Sequence, residues 1–381
     1  MVAMDHDPNV IVEAPNRPEG SPLAQVKHII AVGSGKGGVG KSTTTVNLAV
    51  ALQKLGAKVG ILDADIYGPS VPHILGSRQS PTRREGEKIQ PSEKDGIKFM
   101  SMALLGGDAP AVWRGPMASR AIHQFLGEVE WGELDYLLID LPPGTGDIQI
   151  TISQAARLSG AVVVMTPQLL ATDVAKRGLK MFQQVRLPVL GLVENMSRYV
   201  CSSCQKETHL FQQGGARTLS KDFHLPVLAE IPFDPELLAN CDSGKPILSE
   251  KPESEVAQSY VQLAKNMATE LRNIVEGKRE IPPQIVNIEP NSKAKIAKVI
   301  WNDGKTSLVT YKDLRFICPC AVCVDEGTGE RKIKKEDIKD DVAPLRVETI
   351  GNYAIKIHWS DEHNTGIYSY DYLRRHLVKE S

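Results

Sequence analysis

The chain has 381 residues, of which 41% are hydrophobic and 24% are charged, a composition typical of a globular protein with more than one domain. Lysine and arginine total 45 against 46 aspartates and glutamates, so the net charge offers no general attraction for nucleic acid or for an anionic membrane. No apolar run before Ser21 is long enough for a signal peptide or a membrane span. These features predict a cytoplasmic protein with a flexible, solvated tail over residues 1–25.

Short β-branched segments alternate with longer amphipathic segments over residues 26–278. This alternation predicts strands connected by helices, as in a parallel sheet. Segments such as LLID and VVVM are apolar on both faces, which is expected of strands buried on both sides. We therefore predict an α/β fold with a doubly wound, mostly parallel sheet. Strands are expected in the segments that begin at His28, Lys58, Leu134, Gly160, Pro188 and Pro226.

A helix is predicted over residues 252–276, at the end of this domain. The proline-rich and charged segment that follows predicts a linker over residues 279–293. Short alternating segments separated by turn residues then occupy residues 294–381. They predict a small, mostly β domain at the C-terminus.

The first predicted strand leads into GSGKGGVGKST, which contains the G-x-x-x-x-G-K-[ST] pattern between a strand and an amphipathic helix. The backbone N–H groups of such a loop surround phosphates, while Lys41 reaches the terminal phosphates and Ser42 can ligate Mg²⁺. The sequence therefore predicts an ATPase that binds ATP and Mg²⁺. The predicted binding loop consists of Gly35, Lys36, Gly37, Gly38, Val39, Gly40, Lys41, Ser42 and Thr43.

Aspartates follow two further predicted strands, at Asp63 and Asp65 in LDADIYGPS and at Asp140 in IDLPPGTGD. A single aspartate at a strand end is more often a cap or a turn residue. Three such loops in order, each at the carboxyl end of a strand, favour a nucleotide site, because ligands of open α/β sheets bind at that edge.

The additional lysine in KGGVGK resembles the deviant P-loop of the ATPase branch that includes ParA, MinD, the nitrogenase iron protein and the Mrp carriers. The resemblance implies a homodimer in which Lys36 reaches the partner's nucleotide. It also implies that Asp65 orients the attacking water and that Asp63 contacts the ligands of Mg²⁺ without binding the ion directly. Asp140 would hold hydrated Mg²⁺, and Gly144 would sense the γ-phosphate. The positions that resemble the family's adenine-recognition residues are Asn195, Pro232 and Asp234.

The segments DADIYGPS, WRGPM, DYLLIDLPPGTGD and VENMS, followed by a CxxC pair, resemble Mrp-type (ApbC-type) iron-sulfur carriers over about residues 26–268. In that family the pair binds the cluster, which implies Cys201 and Cys204 as its ligands here. A 4Fe-4S cluster usually takes four thiolates, so we expect one cluster to bridge two subunits. The implied function is an ATP-dependent homodimer that receives a 4Fe-4S cluster from an assembly scaffold and transfers it to apo-protein clients.

Three alternatives use the same motifs. The CxxC pair could be redox-active, or could bind zinc with His209 as an extra ligand. A ParA- or MinD-like positioning ATPase is a second alternative, although MinD-like members end in a basic amphipathic helix. A nitrogenase-type reductase would need cysteines between the second strand and GAVVV, and none occurs between Asp65 and Val200. Cys241 has no cysteine or histidine near it in the sequence and is predicted to be a small, partly buried side chain.

Three more cysteines, Cys318, Cys320 and Cys323, occur in CPCAVC and need one further ligand for a closed tetrahedral zinc site. The segments FICPCAVCVDEGTGE and IHWSDEHNTGIYSYDYLRRH resemble the small N-terminal domain of γ-butyrobetaine hydroxylase, where a cysteine trio and a later histidine bind structural zinc. This implies His363 as the fourth ligand, with His358 as the less favoured choice. Zinc would then contribute folding energy to a thin core. A second iron-sulfur site is the alternative.

Overall fold

The structure is a computed structural model, and it divides into two units, Met1–Glu276 and Gly277–Ser381. None of the helices in the described part is long and apolar enough to cross a membrane. The described residues are 6–14, 23–66, 68–83, 88–104, 115–144, 146–201, 203–204, 206–211, 214–279, 283, 285–301, 305–325, 328, 330–350 and 354–378.

A single sheet forms the centre of the first unit. Its described strands are β1 (Val26–Ser34), β2 (Val59–Asp63), β3 (Ser92–Lys94), β4 (Ile97–Ser101), β5 (Leu134–Asp140), β6 (Gly160–Met165), β7 (Val189–Val200), β8 (Glu207–Thr208) and β9 (Val227–Phe233). Their order is β3-β4-β2-β5-β1-β6-β7-β8, with β9 paired to β7. The pairing is parallel except where β3 meets β4 and β8 meets β7. The predicted doubly wound, mostly parallel sheet is therefore confirmed.

The strand register aligns the ends that carry the predicted nucleotide site. Asp63 of β2 lies beside Asp140 of β5, and Asp140 lies beside Val32 of β1. The loops after β1, β2 and β5 therefore leave the sheet at the same edge, as expected for parallel strands.

Helices cover both faces of the sheet. They are α1 (Lys41–Lys54), α2 (Val71–Ile74), α3 (Gly115–Gly127), α4 (Asp147–Ala155), α5 (Leu169–Gln184), α6 (Gly215–Phe223), α7 (Pro235–Asp242), α8 (Ile247–Glu250) and α9 (Glu255–Val275). Apolar residues of α3 to α6 share one core with Ile29 and Ala31 of β1. The alternate residues Ile30 and Val32 are also fully buried and point to the opposite face, where α1 and α9 pack together.

Part of the predicted flexible tail is packed against the first unit. Val10 and Val12 are buried, the Tyr136 hydroxyl donates to the Val10 carbonyl at 2.5 Å, and the His28 ring lies 3.0 Å from the Val12 carbonyl. The prediction of a solvated tail is therefore wrong for residues 6–14, because the short apolar run VIV finds a buried site on the folded unit. Residues 1–5 and 15–22 of that prediction lie outside the described residues.

The described residues of the second unit form two three-stranded antiparallel sheets. Its elements are β10 (Ile285–Asn291), β11 (Ile296–Trp301), β12 (Thr306–Thr310), α10 (Tyr311–Phe316), β13 (Pro344–Ile350), β14 (Ala354–Trp359), β15 (Ile367–Ser369) and α11 (Tyr370–Leu377). The predicted linker over residues 279–293 is wrong where β10 pairs with β11. Pro290 is compatible with that strand because β10 is at the edge of its sheet, where a missing N–H costs no ladder bond.

Candidate functional site

The predicted nucleotide loop lies between β1 and α1, near the middle of the sheet. Gly38 and Gly40 have φ angles of +78° and +81°, a left-handed conformation that L-residues rarely adopt. A Cβ at Gly40 would also collide with the side-chain amide of Asn195. The loop ends at the N-terminus of α1, where free backbone N–H groups and the helix dipole favour phosphate.

Charged side chains from three loops converge beside this loop. The Nζ of Lys41 lies 2.7 Å from Oδ2 of Asp140 and 3.5 Å from Oδ2 of Asp65. Asp140, which is completely buried, also accepts hydrogen bonds from the hydroxyls of Ser42 at 2.5 Å and Thr45 at 2.7 Å. A hydroxyl and two carboxylates are the donor types that Mg²⁺ takes together with phosphates. The residues present therefore fit a nucleotide with its metal.

Asp63 holds the loop that carries Asp65. Its carboxylate accepts from the Ser101 hydroxyl at 2.9 Å and from the backbone N–H groups of Asp65 and Val71, each at 3.2 Å. Burial, and then the charge of Asp140, raise the pKa of the Asp63 carboxyl. Because the two backbone bonds fix the loop after β2, Asp63 positions Asp65 in this structure.

The loop borders a cavity of about 370 Å³. Lys36 is exposed and lines the cavity, as does Ser34. The backbone N–H of Gly144 donates to the Ser34 carbonyl at 2.9 Å. Leu238 and Cys241 of α7 also line the cavity, a role that no motif in the sequence indicates. Cys241, which was predicted to be partly buried, is buried in the structure. Burial raises the pKa of its thiol.

The three predicted adenine-recognition residues do not lie together. The Asn195 amide donates to the Val39 carbonyl of the nucleotide loop at 2.9 Å and is buried. Pro232 and Asp234 line a separate cavity of about 330 Å³ beside Tyr199, and Asp234 also caps α7. The structure therefore brings Asn195 to the nucleotide loop. Pro232 and Asp234 lie outside the cavity that borders this loop.

The CxxC pair lies in the turn of the β7–β8 hairpin. Tyr199 and Val200 pair with Thr208 and Glu207, and the Cys201 N–H donates to the carbonyl of residue 206 at 3.1 Å. Cys201 is half-buried and Cys204 is exposed. Hydrogen bonding from the backbone of Cys204 lowers the pKa of the Cys201 thiol, which favours the thiolate that binds metals.

His209 does not join these cysteines. Its ring lies 3.2 Å from the Ser197 carbonyl and 3.1 Å from the Glu207 carboxylate. Within the described ranges, Cys201 and Cys204 belong to no group of three or more Cys, His, Asp or Glu donor atoms within 4.8 Å of one another. One chain therefore presents two thiol ligands at this hairpin.

The second unit brings four donor atoms together, from Cys318, Cys320, Cys323 and His363, all within 4.8 Å of one another. The His363 Nε2 lies 3.2, 3.4 and 3.7 Å from the three sulfurs, in chain order. A tetrahedral site with usual Zn–S and Zn–N bond lengths has S···N edges of about 3.5 Å. The residues therefore fit zinc. His358 instead lies 3.3 Å from the carboxylate of Glu348.

The surroundings of this cluster differ from one sulfur to the next. Burial raises the pKa of Cys318 to about 12. Burial also acts to raise that of Cys320, yet hydrogen bonds, the first of them from Thr365, lower it to about 7. The Arg315 guanidinium donates to the Cys323 sulfur at 3.5 Å and to Asp361 at 2.9 Å. Such outer contacts orient metal ligands and tune their basicity.

The family model described as the NUBPL iron-transfer P-loop NTPase matches residues 25–268. The chain belongs to this family. The model of the γ-butyrobetaine hydroxylase-like N-terminal domain matches residues 288–374. The family and the second domain that the motifs predicted are therefore confirmed for this iron-transfer P-loop NTPase.

The chain is also similar to named proteins over part of its length. The iron-sulfur cluster carrier protein of Escherichia coli strain K12 is 51% identical over 248 residues, which cover 65% of this chain and 67% of that protein. The mitochondrial iron-sulfur protein required for NADH dehydrogenase of Arabidopsis thaliana is 48% identical over 271 residues, 71% of this chain and 85% of that protein. A nucleotide-binding protein from Archaeoglobus fulgidus, solved with ADP, is 42% identical with a TM-score of 0.55, covering 63% of this chain and 94% of its own.

Proposed function

We propose that this P-loop NTPase is an ATP-dependent carrier that binds a 4Fe-4S cluster across a homodimer and transfers it to apo-proteins. The observation that carries the proposal is the hairpin turn with two accessible thiols and, among the described residues, no third donor beside them. Four thiolates are the usual ligand set of such a cluster, so two chains supply it. The names of the relatives, iron-sulfur cluster carriers, support the same cargo.

The nucleotide site would act through its own residues. Lys41 and the loop N–H groups hold the phosphates, Ser42 and Asp140 hold Mg²⁺, and Asp65 orients the attacking water. Lys36 is exposed beside the cavity, a position that leaves its ammonium free to reach the nucleotide of a partner chain.

Release of the cargo would proceed by ligand exchange. A client thiol loses its proton and forms an Fe–S bond as the corresponding bond to Cys201 or Cys204 breaks, and the released carrier thiolate takes up a proton. No oxidant or reductant is needed for this exchange. The exposed Cys204 is accessible to an incoming thiolate, whereas a buried ligand set would resist it. A scaffold protein would load the carrier by the reverse exchange.

One strand contacts both sites, which supports coupling between them. Asn195, in β7, donates to Val39 of the nucleotide loop, and the same strand continues to Cys201. Met196, the residue after Asn195, has a left-handed φ of +56°. The pairing with β9 shifts here, since Asn195 is paired with Ile231 and Tyr199 with Phe233. We infer that a movement of the nucleotide loop reaches the cysteine hairpin through Asn195, with the irregular segment as the hinge.

Metal analysis tests the cargo. The full chain, purified without oxygen and reconstituted with iron and sulfide, should contain about four iron and four sulfide per dimer, as expected for one bridged cluster. Cys201→Ser should lose this iron and keep the zinc of the second unit. Cys241→Ser is the matched control and should keep both metals. Iron that survives Cys201→Ser would contradict the proposal.

Transfer kinetics test the coupling. Lys41→Ala should assemble the cluster and yet transfer it slowly to an apo-protein in the presence of ATP, since the terminal phosphates lose their cation. Asn195→Ala, assayed at saturating ATP, should still hydrolyse ATP while ATP no longer accelerates transfer. If ATP accelerates transfer by Asn195→Ala as much as by the unmodified chain, the proposed route along β7 is wrong.

A further inference from the structure

β13 is the edge strand of the second small sheet. It pairs with β14, and in the part of the chain that the structure describes it pairs with no strand on its other side. Leu345 and Val347 of β13 are 73% and 41% exposed, although Val347 lies directly opposite Ile357 of β14, which is completely buried. Residues opposite each other share a face of the sheet. The core therefore covers this face at Ile357 and leaves it uncovered at Val347, while Leu345 lies where the register between β13 and β14 shifts.

The sequence of β13, PLRVETI, is complementary to itself in an antiparallel pairing centred on Val347. That register places Arg346 opposite Glu348 of a second copy and Leu345 opposite Thr349. Opposite charges and apolar or β-branched pairs directly across two paired strands stabilise the pairing. Arg346 and Glu348 already lie on one face, with their charged atoms 3.1 Å apart, so both charges stay compensated when they exchange partners.

We propose that β13 pairs with β13 of a second copy of this chain, across a twofold axis at Val347. Two three-stranded sheets would join into one six-stranded sheet, in which Val347 meets Val347 of the second copy and Leu345 meets Thr349. A twofold interface requires a patch that is complementary to itself, and the order of charges in β13 meets this requirement. An unrelated partner strand would not explain that order.

The surface is small, because stable interfaces bury about 1,200–2,000 Å². It would therefore act as a weak contact that the dimer proposed for the first unit strengthens by raising the effective concentration of the second units. Because the contact uses neither nucleotide nor cluster, it can be tested apart from the carrier function.

Disulfide trapping provides the test. Val347→Cys is introduced into the full zinc-loaded chain with Cys201→Ser and Cys204→Ser, without nucleotide or cluster. Directly paired strand residues have Cα atoms about 4.5–5.5 Å apart, which is within the range that a disulfide spans. Leu308→Cys in the same background is the matched control, since Leu308 is 69% exposed on β12. Because direct pairing holds the two Val347→Cys sulfurs within disulfide range, we expect this variant to form covalent dimers at least about tenfold faster than Leu308→Cys under mild oxidation.

Charge reversal separates specific pairing from random collision. Adding Arg346→Glu, or Glu348→Arg, to the Val347→Cys chain should slow trapping, because like charges then face each other. The double reversal restores opposite charges and should restore the rate to within about twofold. Zinc content checks that each variant is folded. Equal trapping of Val347→Cys and Leu308→Cys, or a double reversal as slow as the single ones, would overturn the proposed pairing and leave the carrier proposal unaffected.

Discussion

The two cysteine sites of this chain contrast in almost every physical respect. Cys201 and Cys204 occupy a hairpin turn, half-buried and exposed, with two donors in reach of each other. Cys318 and Cys323 are completely buried, and His363 completes a set of four donors with Cys320. An incomplete, accessible site leaves coordination positions for a second chain and for an incoming thiolate. A complete, buried site has no such position, so its metal would serve the fold.

The largest effect on stability is expected from removing a ligand of the four-donor site in the second unit. Cys318→Ser removes one of four ligands and should abolish zinc retention, and the second unit should unfold because structural zinc in small domains contributes roughly 10–16 kcal/mol of apparent binding energy. Zinc content and thermal unfolding of the full chain measure this. Cys204→Ser should leave both unchanged; if it lowers zinc content, the two sites are not independent.

A smaller loss of affinity at the closed site is expected from Arg315→Ala. The substitution removes the hydrogen bond to the Cys323 sulfur and the ion pair with Asp361. Outer contacts of this kind are typically worth about 10- to 100-fold in metal affinity. Competition with a chromophoric chelator measures the change. Lys332→Ala, which removes an exposed ion pair with Asp325, is the control, and equal losses in the two variants would contradict the role of Arg315.

The reactivity of the Cys201 thiol, in the hairpin turn, should depend on pH differently from that of an ordinary thiol. Because hydrogen bonding from Cys204 lowers the pKa of Cys201, the thiolate forms at lower pH than in a free cysteine. The alkylation rate of Cys201 should therefore reach its plateau at a lower pH than the alkylation rate of free cysteine. At neutral pH, the thiolate fraction of Cys201 should be several-fold larger than that of free cysteine. Mass spectrometry of the cluster-free protein follows each cysteine. Buried Cys241, whose pKa is raised, should stay unmodified; a profile for Cys201 that matches free cysteine would refute the assignment.

The smallest effect is expected from His209→Ala. Since its ring contacts Ser197 and Glu207, its loss should change the iron content of the reconstituted protein by less than about twofold. A loss of half the iron or more would return His209 to the ligand set and remove the contrast between the two sites.

The predictable features were those whose signals are local in the sequence. The nucleotide loop follows a strand and begins a helix, and most buried strands are continuous apolar runs, so these were predicted from a few adjacent residues. The buried strand β4 was not predicted. The elements β3 and β8 were not predicted, because strands of two or three polar residues at sheet edges have no apolar periodicity. The packing of Val10 was missed for another reason: the surface that buries it, around Tyr136, exists only after folding.

The candidate site residues divide in the same way. Lys41, Asp65 and Asp140 were predicted as members of one site, and the structure brings them together. His363 was predicted only through a family resemblance, since 40 residues separate it from Cys323. The contact of Asn195 with Val39 spans 156 residues of sequence, and no pattern of residue types predicts which loop a buried amide will meet.

β7 connects the contact of Asn195 with the nucleotide loop to the cysteine hairpin, so the number of residues between these two points matters. Along β7, four positions separate Asn195 from Tyr199, while the paired residues of β9, Ile231 and Phe233, are two positions apart. Because strand side chains alternate between faces, the loss of one residue in this segment would turn Cys201 to the opposite side while Asn195 kept its place. If β7 couples the two sites as proposed, the number of residues in this segment matters more than their side chains, and the loss of one residue would uncouple the nucleotide loop from the cysteine hairpin without removing any proposed ligand.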